Sequence, residues 1–339
     1  MYVTIEAIAS ALPARVVTNA DLEAENPSWD MGRLVERTGV RERRIAESGE
    51  TALDLGYQAC LALEAEGKLD RERIDALIFC TETPDYPIPP NSTVLHGMLG
   101  LSNAVMAFDI TLACSGFVYA LGIARSLVLS RTATRVLIVT ADTYSRLIHA
   151  GDRSSRALFG DGAAATIVGT GRGIEIVDVE FGTSGSKFDR FIVRAGGARA
   201  PRTQQTCVQT TDRSGNVRTA EHIEMDGLGV LSFFNSVIPK AVAGTLARNG
   251  MTKDDVECFV FHQASLVALQ GIARGMGIPF ERVLVDLENI GNLVSASVPI
   301  ALRDAIDGGR LRPAGRGVLC GFGVGLSWAT AIVKMPEAT

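Results

Sequence analysis

The start of the chain, Met1-Tyr2-Val3-Thr4-Ile5-Glu6, alternates apolar and polar residues, the pattern of a half-buried strand. Elsewhere the apolar positions come in short solid blocks. Ile74 to Cys80, Val136 to Val139, Val256 to Phe261 and Val318 to Gly321 each read as a buried strand. Helix-like spacing runs from Phe117 to Ser130 and again from about Ser297 to Ile306. Helical patterns alternating with short Val/Ile-rich blocks predict an α/β fold.

The blocks repeat. Ile74 matches Val256 and Cys80 matches His262, each pair 182 positions apart (256 − 74, 262 − 80). Val136 matches Val318 at the same offset (318 − 136), so the spacing inside each half is equal. The sequence therefore predicts an internal duplication, with halves at residues 1–172 and 173–339. The Gly/Arg/Thr-rich stretch from about Gly182 to Met225 breaks the pattern and reads as an insertion or cap on the second half.

Composition narrows the class. The 339 residues are 47% hydrophobic and 21% charged, as in a globular protein with room for two domain-sized cores. A net charge of −5 without a dense Lys/Arg run gives nucleic-acid binding no support. The six cysteines are scattered without a CxxC pair, which fits a reducing cytoplasm better than a disulfide framework or a metal site. The N-terminus lacks a signal-peptide pattern. No uninterrupted apolar run approaches the ~18 residues of a membrane span.

The candidate chemistry centres on Cys114. It lies in Asp109-Ile110-Thr111-Leu112-Ala113-Cys114-Ser115-Gly116-Phe117, where a strand-like stretch meets a helix-like one. Unpaired N–H groups at a helix start favour a thiolate nucleophile. His262 ends a buried block, and Asn292 sits in Gly291-Asn292-Leu293-Val294-Ser295-Ala296-Ser297-Val298-Pro299. Cys114 plus the 182 offset falls at Ala296, inside that motif. The duplication can thus bring both motifs to one pocket between the halves.

With those segments, Arg37-Thr38-Gly39-Val40-Arg41-Glu42-Arg43, Phe159-Gly160-Asp161-Gly162-Ala163-Ala164, His262-Gln263-Ala264 and Phe322-Gly323-Val324-Gly325-Leu326-Ser327-Trp328 complete an ordered set. Together they resemble the β-ketoacyl-acyl-carrier-protein synthase III family of the thiolase-like superfamily. The resemblance implies a five-layer αβαβα fold, a homodimer and a Cys114-His262-Asn292 active site. It implies that Cys114 takes an acyl group from a coenzyme A or carrier-protein thioester. A malonyl thioester then condenses with the acyl-enzyme as it loses carbon dioxide. The backbone N–H groups of Cys114 and Val324 would hold the tetrahedral oxyanion, and His262 and Asn292 the developing enolate. Neither a cofactor nor a metal is expected, since coenzyme A enters only as part of the substrate.

The same resemblance counts Arg37, Arg153, Arg33, Ser265, Phe322 and Ile88 as substrate-binding positions. Arg37 and Arg153 would meet coenzyme A, with solvated surface arginines as the competing reading. Ile88 would cross a dimer interface to close the partner's acyl pocket, with plain interface packing as its competitor. Departures from the family pattern cluster in the delivery channel. Arg33 stands where a Trp stacks on adenine, Ser265 where Asn is usual, Val267 where an Arg docks the carrier protein, and Leu228 where a polar residue lines the channel. A specialised fatty-acid or polyketide-type pathway fits that pattern.

Two rival chemistries remain open. Glu82 stands where a 3-hydroxy-3-methylglutaryl-CoA synthase carries its acid/base carboxylate. Alternatively, Cys114 and His262 would pass an acyl group to a hydroxyl or amine of a small metabolite.

Overall fold

The computed structural model describes residues 2–337. Nine strands line up in the order Cys258–Phe261, Arg316–Gly323, Ser327–Lys334, Ile174–Thr183, Thr4–Ala11, Gly162–Gly169, Val136–Asp142, Ala76–Cys80 and Met106–Ile110. The first four of these strands form one set and the last five another, joined where Thr4 and Ile5 pair with Glu175 and Ile174. Each set has the same core pattern. Ala76–Cys80 runs parallel to Val136–Asp142, as Cys258–Phe261 does to Arg316–Gly323. An antiparallel strand follows each pair: Gly162–Gly169 in one set and Ser327–Lys334 in the other.

Two helices lie between the sets. Gly116–Leu129 and Ser297–Asp307 bury Phe117, Val118, Leu121, Val298, Ala301 and Leu302 in one core with Ile78, Ile138, Val260 and Leu319. Such helices, apolar on more than one face, suit a layer covered on both sides. The helix Ala52–Ala65 covers the outer face of the first set. Gly227–Arg248 and Leu266–Met276 cover that of the second. The result is the five-layer αβαβα architecture that the family resemblance implies.

The offset of 182 recurs in the strand starts Ala76 and Cys258 (258 − 76). It lapses at the chain-terminal side of each half, where Thr4 and Ile174 are 170 apart (174 − 4). The stretch from Thr183 to Met225 carries one short 3-10 helix, Gly185–Arg190, and only two-residue strands, and its Phe191 and Ile223 pack in one cluster with Cys114.

One helix bears on the membrane expectation. Gly227–Arg248, 22 residues with a mean hydropathy of 1.3 in its most apolar window, is long and apolar enough to cross a membrane. Asn235, Pro239 and Lys240 interrupt its apolar run, so it holds no unbroken apolar stretch of that length. Its buried positions, Phe234, Ile238, Val242, Thr245 and Leu246, recur at one-face spacing and pack on the second strand set. That is the pattern of a covering helix in a layered fold.

Candidate active site

Cys114, His262 and Asn292 are each only 3% exposed. Cys114 precedes the central helix, which begins at Gly116. The end of strand Arg316–Gly323 holds the thiol from one side. A methyl carbon on Gly323 would stand 2.8 Å from Cys114 Cβ and 2.9 Å from its Sγ. One on Gly321 would stand 2.6 Å from the Cys114 carbonyl oxygen. Glycine is required at both positions for close approach, since any side chain would displace the Cys114 backbone.

The same strand positions His262. The His262 N–H donates to the Cys320 carbonyl at 2.8 Å, and its ring meets Phe322 edge-on at 5.4 Å between centroids. His262 Nδ1 lies 2.7 Å from Ser297 Oγ. The Ser297 hydroxyl has one hydrogen, and the Val294 carbonyl, 3.0 Å away, can only accept it. The tautomer that satisfies every group therefore carries hydrogen on Nδ1 and a lone pair on Nε2. Burial pushes the imidazole pKa down to about 3, so the ring is neutral.

Asn292 is fixed by its own loop. Its Oδ1 accepts from the Val294 N–H at 3.0 Å, which turns Nδ2 toward His262 Nε2 at 3.4 Å and the Ala264 carbonyl at 3.5 Å. Val294 adopts a positive φ of 53° to present that N–H. Both Nδ2 contacts are long, so the amide hydrogens remain available to a substrate oxygen.

The thiol departs from the sequence expectation. The helix start favours a thiolate, but burial, then the Glu82 and Asp142 carboxyls, raises the Cys114 pKa well above the usual thiol range. Desolvation outweighs the helix terminus here. At rest the site holds a neutral thiol and a neutral imidazole.

Val324 packs beside Cys114 in a cluster with Tyr144, Phe159, Phe191 and Val294. Its loop is tied to the Cys114 segment by Ser115 Oγ to Ser327 Oγ at 2.8 Å and Ser327 Oγ to the Val324 carbonyl at 2.9 Å.

Asp142, at a strand end, joins the halves. It accepts from the Glu82 N–H at 2.9 Å and from Thr81 Oγ1 at 3.2 Å, both in the first half, and from the Ser295 hydroxyl and N–H in the second. Burial raises its pKa to about 7. Glu82 is half-buried, and Tyr144 Oη donates to its Oε2. Crowding around the carboxyl is enough to raise its pKa, by burial above all.

The remaining candidates lie further out. Arg37 is exposed in the last turn of helix Met31–Thr38, and Arg33 is exposed with Asp30 at 3.9 Å. That helix ends at Gly39, against Leu266 (3.0 Å for an added methyl). Ser265 caps the helix Leu266–Met276, its Oγ accepting from the Ala268 N–H at 3.3 Å. The end of the Arg37 helix thus packs against the start of the helix that Ser265 caps. Arg153 sits on another segment, with Nη2 3.5 Å from the Ser214 carbonyl. Trp29 faces the Arg156 guanidinium at 5.8 Å. Ile88 is 85% exposed. The sequence reading missed Ser297, Asp142, Tyr144 and the Ser115–Ser327 link.

A layered fold with a buried Cys, His and Asn gathered around one strand end defines a thiolase-like condensing enzyme. The family model "3-Oxoacyl-[acyl-carrier-protein (ACP)] synthase III" matches residues 108–185, and its C-terminal counterpart matches 246–335. The beta-ketoacyl-[acyl-carrier-protein] synthase III of Roseiflexus sp. (strain RS-1) is 36% identical over 98% of both chains. A crystal structure of a 3-oxoacyl-(acyl-carrier-protein) synthase III superposes with a TM-score of 0.95 at 40% identity, covering 99% of this chain and 100% of that one. The priming β-ketosynthase of the R1128 polyketide pathway gives 0.83 at 30% identity, covering 100% and 97%. The chain belongs to the 3-oxoacyl-[acyl-carrier-protein] synthase III family.

Proposed function

We propose that Cys114 accepts an acyl group from a coenzyme A or carrier-protein thioester and that the acyl-enzyme condenses with a malonyl thioester. As the sulfur attacks the carbonyl, His262 Nε2 takes the thiol proton and passes it to the departing thiolate. The N–H groups of Cys114 and Val324 hold the oxyanion. Decarboxylation of the malonyl thioester then places charge on its thioester oxygen. Asn292 Nδ2 donates to that oxygen. His262 joins it in its other tautomer, once the Ser297 hydroxyl turns from the Val294 carbonyl to Nδ1. The resulting carbanion attacks the acyl carbon, and Cys114 leaves as a thiolate that takes up a proton from solvent to restore the neutral thiol. The observation that carries this reading is the neutral Cys–His pair with a fixed Asn amide beside it: a base for loading and two donors for an enolate.

The chain works as two halves, 1–172 and 173–339, the first giving Cys114 and the second His262 and Asn292. A homodimer is supported by the exposed Ile88 and by Met106–Ile110, an edge strand. Arg37, Ser265, Arg33 and Arg153 would border the coenzyme A path, and Phe322 would shape the site beside His262. Free thiols at all six cysteines support a cytoplasmic location.

The position of Glu82 favours a second reading. Its carboxyl influences the Cys114 thiol and has a raised pKa, as an acid/base group for a hydroxymethylglutaryl-type condensation needs. Glu82→Gln decides between them. The ketoacyl synthase reading expects substantial condensation with malonyl thioester to survive. Loss of turnover, with acetoacetyl-CoA consumed by the unmodified enzyme, would establish the rival.

A further inference from the structure

Glu82 has no task in the decarboxylative reaction, yet it stands beside the nucleophile. Tyr144, Phe159 and Phe191 form a triangle of rings, with centroids 5.5, 6.4 and 6.2 Å apart, packed in one cluster with Cys114. An alkyl chain attached to Cys114 on that side meets aromatic walls within a few carbons. The Tyr144 hydroxyl ends in this wall and donates to Glu82 Oε2. The other carboxyl oxygen, Oε1, makes no hydrogen bond among the described residues, and no Lys, Arg or His pairs with Glu82 there. A hydrocarbon starter laid along this wall would offer that oxygen no hydrogen-bond partner. Such a contact is unfavourable for a carboxyl in either protonation state.

We propose that Glu82, oriented by Tyr144, selects a short starter acyl group that carries a hydroxyl. This rests on the acyl-enzyme reading of Cys114. A hydroxyl both donates and accepts, so it satisfies Oε1 whether the carboxyl is ionised or not. Tyr144 occupies Oε2 and leaves Oε1 as the reading atom. A site built to hydrogen-bond a substrate hydroxyl discriminates strongly against the analogue without one, because its own polar group is then left unpaired.

The test compares the loading of 3-hydroxybutyryl-CoA and butyryl-CoA, read as kcat/KM of mass gain on the intact protein. The unmodified enzyme should prefer the hydroxylated starter by at least about tenfold. Glu82→Leu should reverse the preference, and Tyr144→Phe should reduce it. Glu82→Gln, which keeps shape and hydrogen-bonding capacity, should retain part of it. Equal loading of both starters by the unmodified enzyme, or an unchanged ratio in Glu82→Leu, overturns the assignment of Glu82 while leaving Cys114 acylation intact. If neither thioester nor acetyl-CoA adds mass at Cys114, the acyl-enzyme reading falls and the Glu82 assignment with it.

Discussion

Replacing Ser297 with alanine removes the one oxygen that accepts from His262 Nδ1. In the parent, that 2.7 Å contact and the 3.0 Å bond from Ser297 Oγ to the Val294 carbonyl together place the imidazole hydrogen on Nδ1. In Ser297→Ala a buried N–H would be left unmatched, at a cost of about 1–3 kcal/mol. The ring escapes by moving its hydrogen to Nε2, which then cannot take the Cys114 proton. At 1.4 kcal/mol per factor of ten, the base-competent tautomer loses about 5- to 150-fold in population. Acylation of Cys114, followed by quench-flow mass spectrometry, should slow by that factor. Malonyl decarboxylation needs the Nε2–H donor instead and should slow less. Nitrogen-15 spectra of the imidazole should show the tautomer change directly. Equal loss in both steps, or none in loading, would refute the tautomer argument.

Three further outcomes are expected. Gly323→Ala puts a methyl 2.8 Å from Cys114 Cβ, short of an ordinary 3.4 Å contact by 3.4 − 2.8 = 0.6 Å. Displacing the nucleophile by several tenths of an ångström should slow loading about tenfold or more with little change in Tm, and loading at the parent rate would contradict the geometry. Because burial and the Glu82 and Asp142 carboxyls raise the Cys114 pKa, iodoacetamide alkylation at that residue should be slow at neutral pH. Its rate should climb only above the usual thiol range, and Glu82→Gln should move the climb to lower pH; a thiolate already formed at neutral pH contradicts this. Sedimentation at micromolar concentration should show a dimer, and Ile88→Trp should change acyl-chain preference; a monomer, or an unchanged preference, counts against a role for Ile88 in the partner's pocket.

Much of the layered fold was legible because its strands are solid apolar blocks and the duplication repeats their spacing. Cys114, His262 and Asn292 stood out because each polar group interrupts or ends an apolar pattern. The parts that stayed hidden depend on contacts between distant segments. Ser115 meets Ser327 and Asp142 meets Ser295, each across most of a half or more of the chain, and no local pattern marks either pair. Asp142 simply ends a strand that is apolar but for Thr140. The thiol's protonation was misjudged because the helix start is visible in sequence while the depth of burial is not. The covering helix Gly227–Arg248 went unremarked because polar residues punctuate it, although its mean hydropathy is high.

The central claim is that Cys114 carries the acyl group through to condensation. The direct measurement is to mix the enzyme with acyl-CoA thioesters, map the modified peptide by mass spectrometry, and then add malonyl thioester. The account predicts an acyl mass on Cys114 alone, discharged as a ketoacyl product with release of carbon dioxide. It also predicts that Cys114→Ala gains no mass and forms no product. An acyl group found on another cysteine, or product formed by Cys114→Ala at the parent rate, would contradict it.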